Sequence, residues 1–256
     1  MKKRLAAILQ ATVFLLPVAA YGYPNGTPQY VTDSGPFCAS CHSSVMAGYM
    51  PELPPDVAKK ELPEQKHYAL VRMPTLPSPY VELTPEDKER LINKAKLIDS
   101  NSAVSITARS KVKAGGELTV TVKARGGNGP VIGIMLVDRA LRYQARPVSS
   151  DGWLVTGEPE VIGQDGKIQK AWLDKRIKGT PRNLNFVLIE GERFDPERNL
   201  YPEGMVTYAL KAPSAPGAYT LTAVLLYGTE NTDKAGFFQR PSGRILFSEE
   251  IKVEVE

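Results

Sequence analysis

The strongest constraint on the fold lies after residue 100, where apolar and polar residues alternate in short runs separated by turns. The runs ELTVTVKA (117–124), YTLTAVLLY (219–227) and EEIKVEVE (249–256) have this period of two, which is typical of half-buried antiparallel strands. We predict strands at residues 103–109, 117–125, 131–138, 153–156, 184–190, 205–211, 217–228 and 245–255. Short strands without a strong helix between them favour an antiparallel β-sandwich over a parallel α/β sheet.

The residues before position 100 mix proline-rich loops with helical patterns. The clearest predicted helix covers about residues 85–98, because Thr84 is a suitable N-cap and Pro85 suits the first helical position. A weaker helix is predicted at 63–71. The apolar stripe of the first helix recurs at the spacing of one helix face and consists of Leu91, Ile92, Ala95 and Ile98.

The first residues have the layout of a secretory signal peptide. Lys2, Lys3 and Arg4 precede an apolar run that extends to Ala20, and this run is shorter than the roughly 20 apolar residues that span a bilayer. We therefore expect the mature chain to act in the periplasm or another extracytoplasmic space, without a transmembrane segment. Removal of these basic residues lowers the formal charge from +4 to +1, so the composition does not indicate a nucleic-acid partner.

These patterns predict an α+β multidomain protein. The predicted parts are a signal peptide at residues 1–22, a small α-helical domain at 23–100 and an antiparallel β-sandwich at 101–256. The polar segment DSNSA (99–103) is of the kind found between domains.

Both cysteines of the chain lie in Cys38-Ala39-Ser40-Cys41-His42, which matches C-x-x-C-H, the attachment pattern of c-type haem. Two thiols at this spacing on a helical turn can reach the two vinyl groups of a porphyrin and form thioether bonds. The histidine that follows supplies the proximal iron ligand. We therefore predict one covalently bound haem c, held by Cys38 and Cys41 and ligated by His42.

Other interpretations of the cysteine pair have less support. A thioredoxin-like redox pair should follow a strand and open a helix, whereas Gly35-Pro36-Phe37 follows a polar, turn-rich segment. A structural zinc site takes four ligands, and the chain has only two cysteines and two histidines. A hydrolase is also poorly supported, since no further histidine is placed to serve a serine or cysteine nucleophile and the acidic residues of the strand-rich part show no paired arrangement.

Three segments together resemble class I cytochromes c over about residues 30–100. They are FCASCH, then Met73-Pro74 in VRMPTLPSP, then LTPEDKERLINKAKLI. The resemblance implies a small α-helical haem domain with His42 and Met73 as axial ligands. It also implies that Leu91, Ala95 and Ile98 contact the haem or the core. The strand-rich region is similar to immunoglobulin-like and reeler-like modules, which implies a binding or docking platform.

The sixth iron ligand has an alternative, because Met73 follows His42 by only 31 positions, a short spacing for that family. His67 is the second candidate, and Met46, Met50 or an open site remain. Methionine would raise the reduction potential and histidine would lower it.

These observations predict an exported monohaem cytochrome that transfers single electrons, with the β-sandwich docking it to a redox partner protein or a surface. We expect no enzyme activity of its own, although the chain would also suit the haem subunit of a larger oxidoreductase. One alternative is a haem-based sensor or small-ligand binder with a weak or empty sixth site. Another is a non-haem extracytoplasmic binding or structural protein in which Cys38 and Cys41 pair.

Overall fold

The structure is a computed structural model that describes residues 63–76, 78–140, 148–170, 184–230 and 242–256. The predicted signal peptide lies outside the described residues, as do the predicted haem-attachment residues Cys38 and Cys41 and the predicted iron ligand His42. The candidate ligands Met46 and Met50 also lie outside them.

The first sheet has a central ladder of three antiparallel strands. Strand β3 (Glu117–Arg125) lies between β1 (Ala103–Ala108) and β8 (Glu203–Lys211). The far edge of β8 pairs with β5 (Leu154–Val155) and β6 (Glu160–Gly163).

The second sheet is built around the long strand β9 (Gly217–Gly228). One edge of β9 pairs with β4 (Val131–Val137), which in turn pairs with β7 (Phe186–Glu190). Two further strands pair with β9, namely β10 (Gly243–Phe247) and β11 (Ile251–Val255). The short strand β2 (Lys111–Val112) pairs with β11 in parallel orientation.

The two sheets pack face to face and share one hydrophobic core. Val120 and Val122 of β3 and Tyr208 of β8 face this core from the first sheet, and Ile134 of β4 and Leu225 of β9 face it from the second. All five side chains are inaccessible to solvent. Burial of each aliphatic side chain contributes about 1.5–3 kcal/mol, so the alternation seen in the sequence selects which face of each strand turns inward.

The run predicted as one strand at 245–255 is two strands, and the interruption has a visible cause. Residues 248–250 lie opposite only two residues of β9. Ala223 N donates to Ser248 Oγ at 2.9 Å, and Ser248 N donates to the Ala223 carbonyl at 2.9 Å. The serine side chain therefore replaces a backbone acceptor where the ladder breaks. Strands β2 and β6 escaped prediction because runs this short carry almost no periodicity.

The helical part comprises two pieces that precede the first strand. A π-helical turn (Pro63–Tyr68) continues into helix α1 (Ala69–Arg72), and helix α2 (Pro85–Asn101) follows after a loop. The predicted cap is confirmed, because Thr84 Oγ1 accepts a hydrogen bond from Asp87 N at 3.1 Å. None of the described helices is long and apolar enough to cross a membrane.

The predicted fold class is wrong in its α-helical part, and so is the resemblance to class I cytochromes c. The described residues form chiefly two β-sheets, and the helical part is limited to the π-helical turn and two helices that precede the first strand. Ile92 and Ala95 of α2 pack with Tyr68 and Tyr80, while Ile98 is part of the sandwich core. An amphipathic stripe predicts that one face of a helix is buried, but it does not identify the residues that pack against that face. Here those residues are tyrosines and the core of the sandwich.

Candidate functional site

A cluster of buried polar side chains joins the helical part to the second sheet, and His67 lies at its centre. His67, in the π-helical turn, is only 1% exposed. Its Nε2 lies 2.6 Å from Oε1 of Glu230, which follows β9. Its Nδ1 lies 2.9 Å from Nη2 of Arg244 in β10. The ring therefore contacts residues 163 and 177 positions away.

These contacts fix the tautomer of His67. A guanidinium can only donate hydrogen bonds, so Nδ1 of His67 must be the acceptor from Arg244. The ring proton of the neutral imidazole is then on Nε2, where it is donated to the Glu230 carboxylate.

Asp99, near the end of α2, accepts three hydrogen bonds within the same cluster. Tyr68 Oη donates to its Oδ2 at 2.9 Å, and Tyr227 Oη of β9 donates to its Oδ1 at 3.0 Å. Arg244 Nε also donates to Oδ2, at 3.1 Å. Arg244 thus links the Asp99 carboxylate to the imidazole of His67.

Tyr80, in the loop between the helices, completes the cluster from the other side. Its hydroxyl donates to Glu230 Oε1 at 2.7 Å and lies 3.2 Å from Nε2 of His67. We refer to these seven residues as the His67 network: His67, Tyr68, Tyr80, Asp99, Tyr227, Glu230 and Arg244.

Burial dominates the electrostatics of the His67 network. Desolvation lowers the pKa of His67, although its hydrogen bond to Glu230 opposes that shift. Burial, assisted by the Asp99 carboxylate, raises the pKa of Tyr68 to about 12 and also raises that of Tyr227. Burial acts to lower the pKa of Arg244, but Asp99 and the tyrosines together outweigh it, so the pKa is raised.

The His67 network is an anchor, because the charged groups of Glu230 and Arg244 are not accessible to a substrate. Glu230 is 3% exposed and Arg244 is 7% exposed. Removing one partner from a buried ion pair typically costs about 3–5 kcal/mol, so the network ties the helices firmly to β9 and β10. Only the side chain of Asp99 reaches solvent appreciably, at 22%.

The two described candidates for the sixth iron ligand lie in different settings. Both ring nitrogens of His67 are engaged by protein partners, and a bond to iron would displace either Glu230 or Arg244. Met73 follows α1 and is half-buried, and its carbonyl accepts a hydrogen bond from Lys88 Nζ at 2.9 Å. Within the described ranges, no group of three or more His, Cys, Asp and Glu side chains could hold a metal ion.

Asp99, Glu230 and Arg244 had not been predicted as site residues. Asp99 begins the polar segment predicted to join two domains, yet it accepts three hydrogen bonds. Arg244 carries the only useful sequence signal, because it is a charged residue inside the apolar strand GRILF. Such a residue is buried only when it is paired.

Comparisons with known proteins do not assign the chain to a family. No family model matches it, and no curated protein matches it. One similar solved structure is the CARDB domain of the PF1109 protein in complex with di-metal ions from Pyrococcus furiosus. It has 10% identity and a TM-score of 0.25, covering 61% of this chain and 90% of that chain. A second is AvmM, which catalyzes macrocyclization in alchivemycin A biosynthesis, with 8% identity and a TM-score of 0.28, covering 60% and 88%.

Proposed function

We propose that this protein is an extracytoplasmic haem-carrying binding protein whose haem iron has a weak or empty sixth position. One haem c would be attached through Cys38 and Cys41, with His42 as the proximal ligand, as the C-x-x-C-H pattern predicts. The β-sandwich would serve as the platform that presents this group to a partner. The signal-peptide pattern at residues 1–22 supports a periplasmic or comparable location.

The observation that carries this proposal is the engagement of both nitrogens of His67. Glu230 and Arg244 hold the neutral imidazole through buried hydrogen bonds, and loss of a hydrogen bond to a charged group costs about 1.5–3 kcal/mol. An iron bond at His67 would have to offset that loss. Axial ligation determines whether a haem protein binds small ligands or only transfers electrons. Because His67 is engaged elsewhere and is not available as the sixth iron ligand, ligand binding is favoured.

The first experiment is mass spectrometry of the full chain after expression with export and haem maturation. We expect the mature protein to carry the mass of one haem, and the Cys38→Ala/Cys41→Ala variant to lack it. A wild-type mass without haem, with the two cysteines paired, would instead support a non-haem binding or structural protein.

The second experiment adds carbon monoxide to the reduced protein and records the visible spectrum. We expect fast binding in the wild type and an equally fast reaction in His67→Gln, because His67 does not compete for the iron. Slow or absent binding in the wild type, with fast binding only in His67→Gln, would contradict the proposal.

The second candidate function is one-electron transfer to a redox partner, and a specific observation favours it. Met73 is half-buried and lies at the end of α1, and its thioether could fill the sixth position. In that case the reduced wild type would resist carbon monoxide and Met73→Ala would bind it readily. The same titration therefore separates the two candidate functions.

A further inference from the structure

A groove of about 420 Å³ lies on the outer face of the first sheet, and none of the residues that line it belongs to the His67 network. Its floor is formed by neighbouring parts of β1, β3 and β8. Its wall is the hairpin that begins with β6. A volume of this size is within the range of small-molecule sites, about 300–1,000 Å³. We call it the outer groove.

The wall of the outer groove is held at its base by Gln169. The Gln169 amide accepts from Glu190 N at 2.9 Å and donates to the Glu190 carbonyl at 2.6 Å, so it pairs with the edge of β7 as another strand would. A Cβ at Gly163 would lie 2.1 Å from Nε2 of Gln169. A Cβ at Gly163 would therefore displace the Gln169 amide from its two hydrogen bonds with Glu190.

The charges on the floor of the outer groove are unequal. Arg125 and Glu203 are directly opposite each other on β3 and β8. The Arg125 guanidinium is held in place, since it lies 4.3 Å from the Tyr201 ring centroid and Nη2 donates to Asn199 at 3.2 Å. Lys123 is exposed and forms no hydrogen bond or ion pair with any residue that the structure describes. The groove is therefore lined by two cationic side chains and one carboxylate, and its net charge is positive.

Apolar surface adjoins Lys123. The register places Lys123 opposite Met205 on one side and Ser105 on the other. Ile162 of β6 is paired with Met205 and lines the groove. An unpaired ammonium next to an aliphatic surface complements a ligand that carries a negative charge at one end and a hydrocarbon body.

We propose that the outer groove binds a small aliphatic carboxylate. The carboxylate pairs with Lys123 Nζ, with the Ser105 hydroxyl as an adjacent donor, and the hydrocarbon chain lies over Met205 and Ile162. The proposal for this groove does not depend on the haem. Charge-assisted hydrogen bonds are the stronger ones, so Lys123 provides most of the selectivity for an anion.

The test is an isothermal titration of the full chain with hexanoate, compared with hexylamine and 1-hexanol. We expect saturable binding of hexanoate only. Lys123→Met keeps the aliphatic stem and removes the charge, and we expect it to weaken hexanoate at least about tenfold, equivalent to about 1.4 kcal/mol. Lys252→Met, an exposed lysine of β11, is the matched control and should leave affinity unchanged.

Met205→Glu places a negative charge beside Lys123 and should abolish hexanoate binding. Circular dichroism verifies that each variant is folded, and an unchanged visible spectrum during the titration shows that the ligand does not reach a haem iron. Absence of saturable hexanoate binding, equal binding of hexylamine, or equal affinity in Lys123→Met would each overturn the proposal.

Discussion

Arg244 Nη2 donates to Nδ1 of His67 at 2.9 Å and thereby fixes the imidazole as the Nε2–H tautomer. The same guanidinium donates through Nε to Asp99 at 3.1 Å. One side chain of β10 therefore holds both the start and the end of the helical part, and the helices belong structurally to the sandwich.

The stability of the protein should fall between pH 7.5 and 5.5. Burial lowers the pKa of His67 below 6.5, so the unfolded chain takes up this proton near pH 6.5 while the folded chain takes it up only at lower pH. The stabilising contribution is therefore complete above that value and is lost as the pH falls, by at most about 1.4 kcal/mol per pH unit. Urea denaturation at several pH values measures it. His67→Gln should flatten this slope, and an equal slope in both proteins would refute the assignment.

Arg244→Met should lower the free energy of unfolding by about 3–5 kcal/mol. The substitution leaves the carboxylate of Asp99 and Nδ1 of His67 without their donor, and uncompensated buried charges are costly. Arg198→Met, at an exposed position, is the control and should change stability by less than about 0.5 kcal/mol. Denaturant titration of both variants makes the comparison, and similar losses in the two would argue against the anchor.

Tyr227→Phe should be more destabilising than the same substitution at Tyr219. The Tyr227 hydroxyl donates to the Asp99 carboxylate at 3.0 Å, whereas the Tyr219 hydroxyl donates to the backbone carbonyl of Ala215 at 2.9 Å near the surface. Hydrogen bonds to charged groups contribute about 1.5–3 kcal/mol and neutral ones about 0.5–1.5 kcal/mol. Thermal melts of the two variants measure their stabilities. A larger loss of stability in Tyr219→Phe than in Tyr227→Phe would contradict the prediction.

Ile98→Ala should destabilise the whole sandwich by about 2–5 kcal/mol, the usual cost of a large-to-small change in a core. Ile98 is part of the core between the sheets, whereas its neighbour Leu97 is 41% exposed. Leu97→Ala should therefore cost much less. A single cooperative transition, shifted in Ile98→Ala, is expected by both far-ultraviolet and tyrosine signals. Two separate transitions, with only the helical one shifted, would mean that the helices fold as their own unit.

Much of the secondary structure was predictable because its determinants are local. The strand at 217–228 and the helix that begins at Pro85 follow from periodicity and capping. The partner of the helix was not predictable, since the stripe that contains Ile92 and Ala95 would look the same against a haem or against tyrosines. Packing partners are a long-range property: Ile98 belongs to the same core cluster as Leu225, which is far away in the sequence.

The candidate site residues likewise include some that are predictable from local sequence and others that are not. The Cys38-Ala39-Ser40-Cys41-His42 pattern is local in sequence and predicts its chemistry directly. His67 was a candidate iron ligand because the chain has few histidines. Nothing near it in the sequence indicates that its ring contacts Glu230 and Arg244. Its partners, Glu230 after β9 and Arg244 in β10, lie more than 160 positions away, so only the folded structure reveals that both ring nitrogens are occupied.

The state of His67 can be read directly from the nitrogen chemical shifts of the full-length protein labelled with ¹⁵N-histidine, which contains only two histidines. With His42 replaced in a second sample to assign the signals, we predict a protonated Nε2 and an unprotonated Nδ1 for His67 at pH 7. Both shifts should be the same with and without haem maturation. A shift of either His67 nitrogen that depends on the haem, or a proton on Nδ1, would contradict the conclusion that His67 anchors the helices rather than the iron.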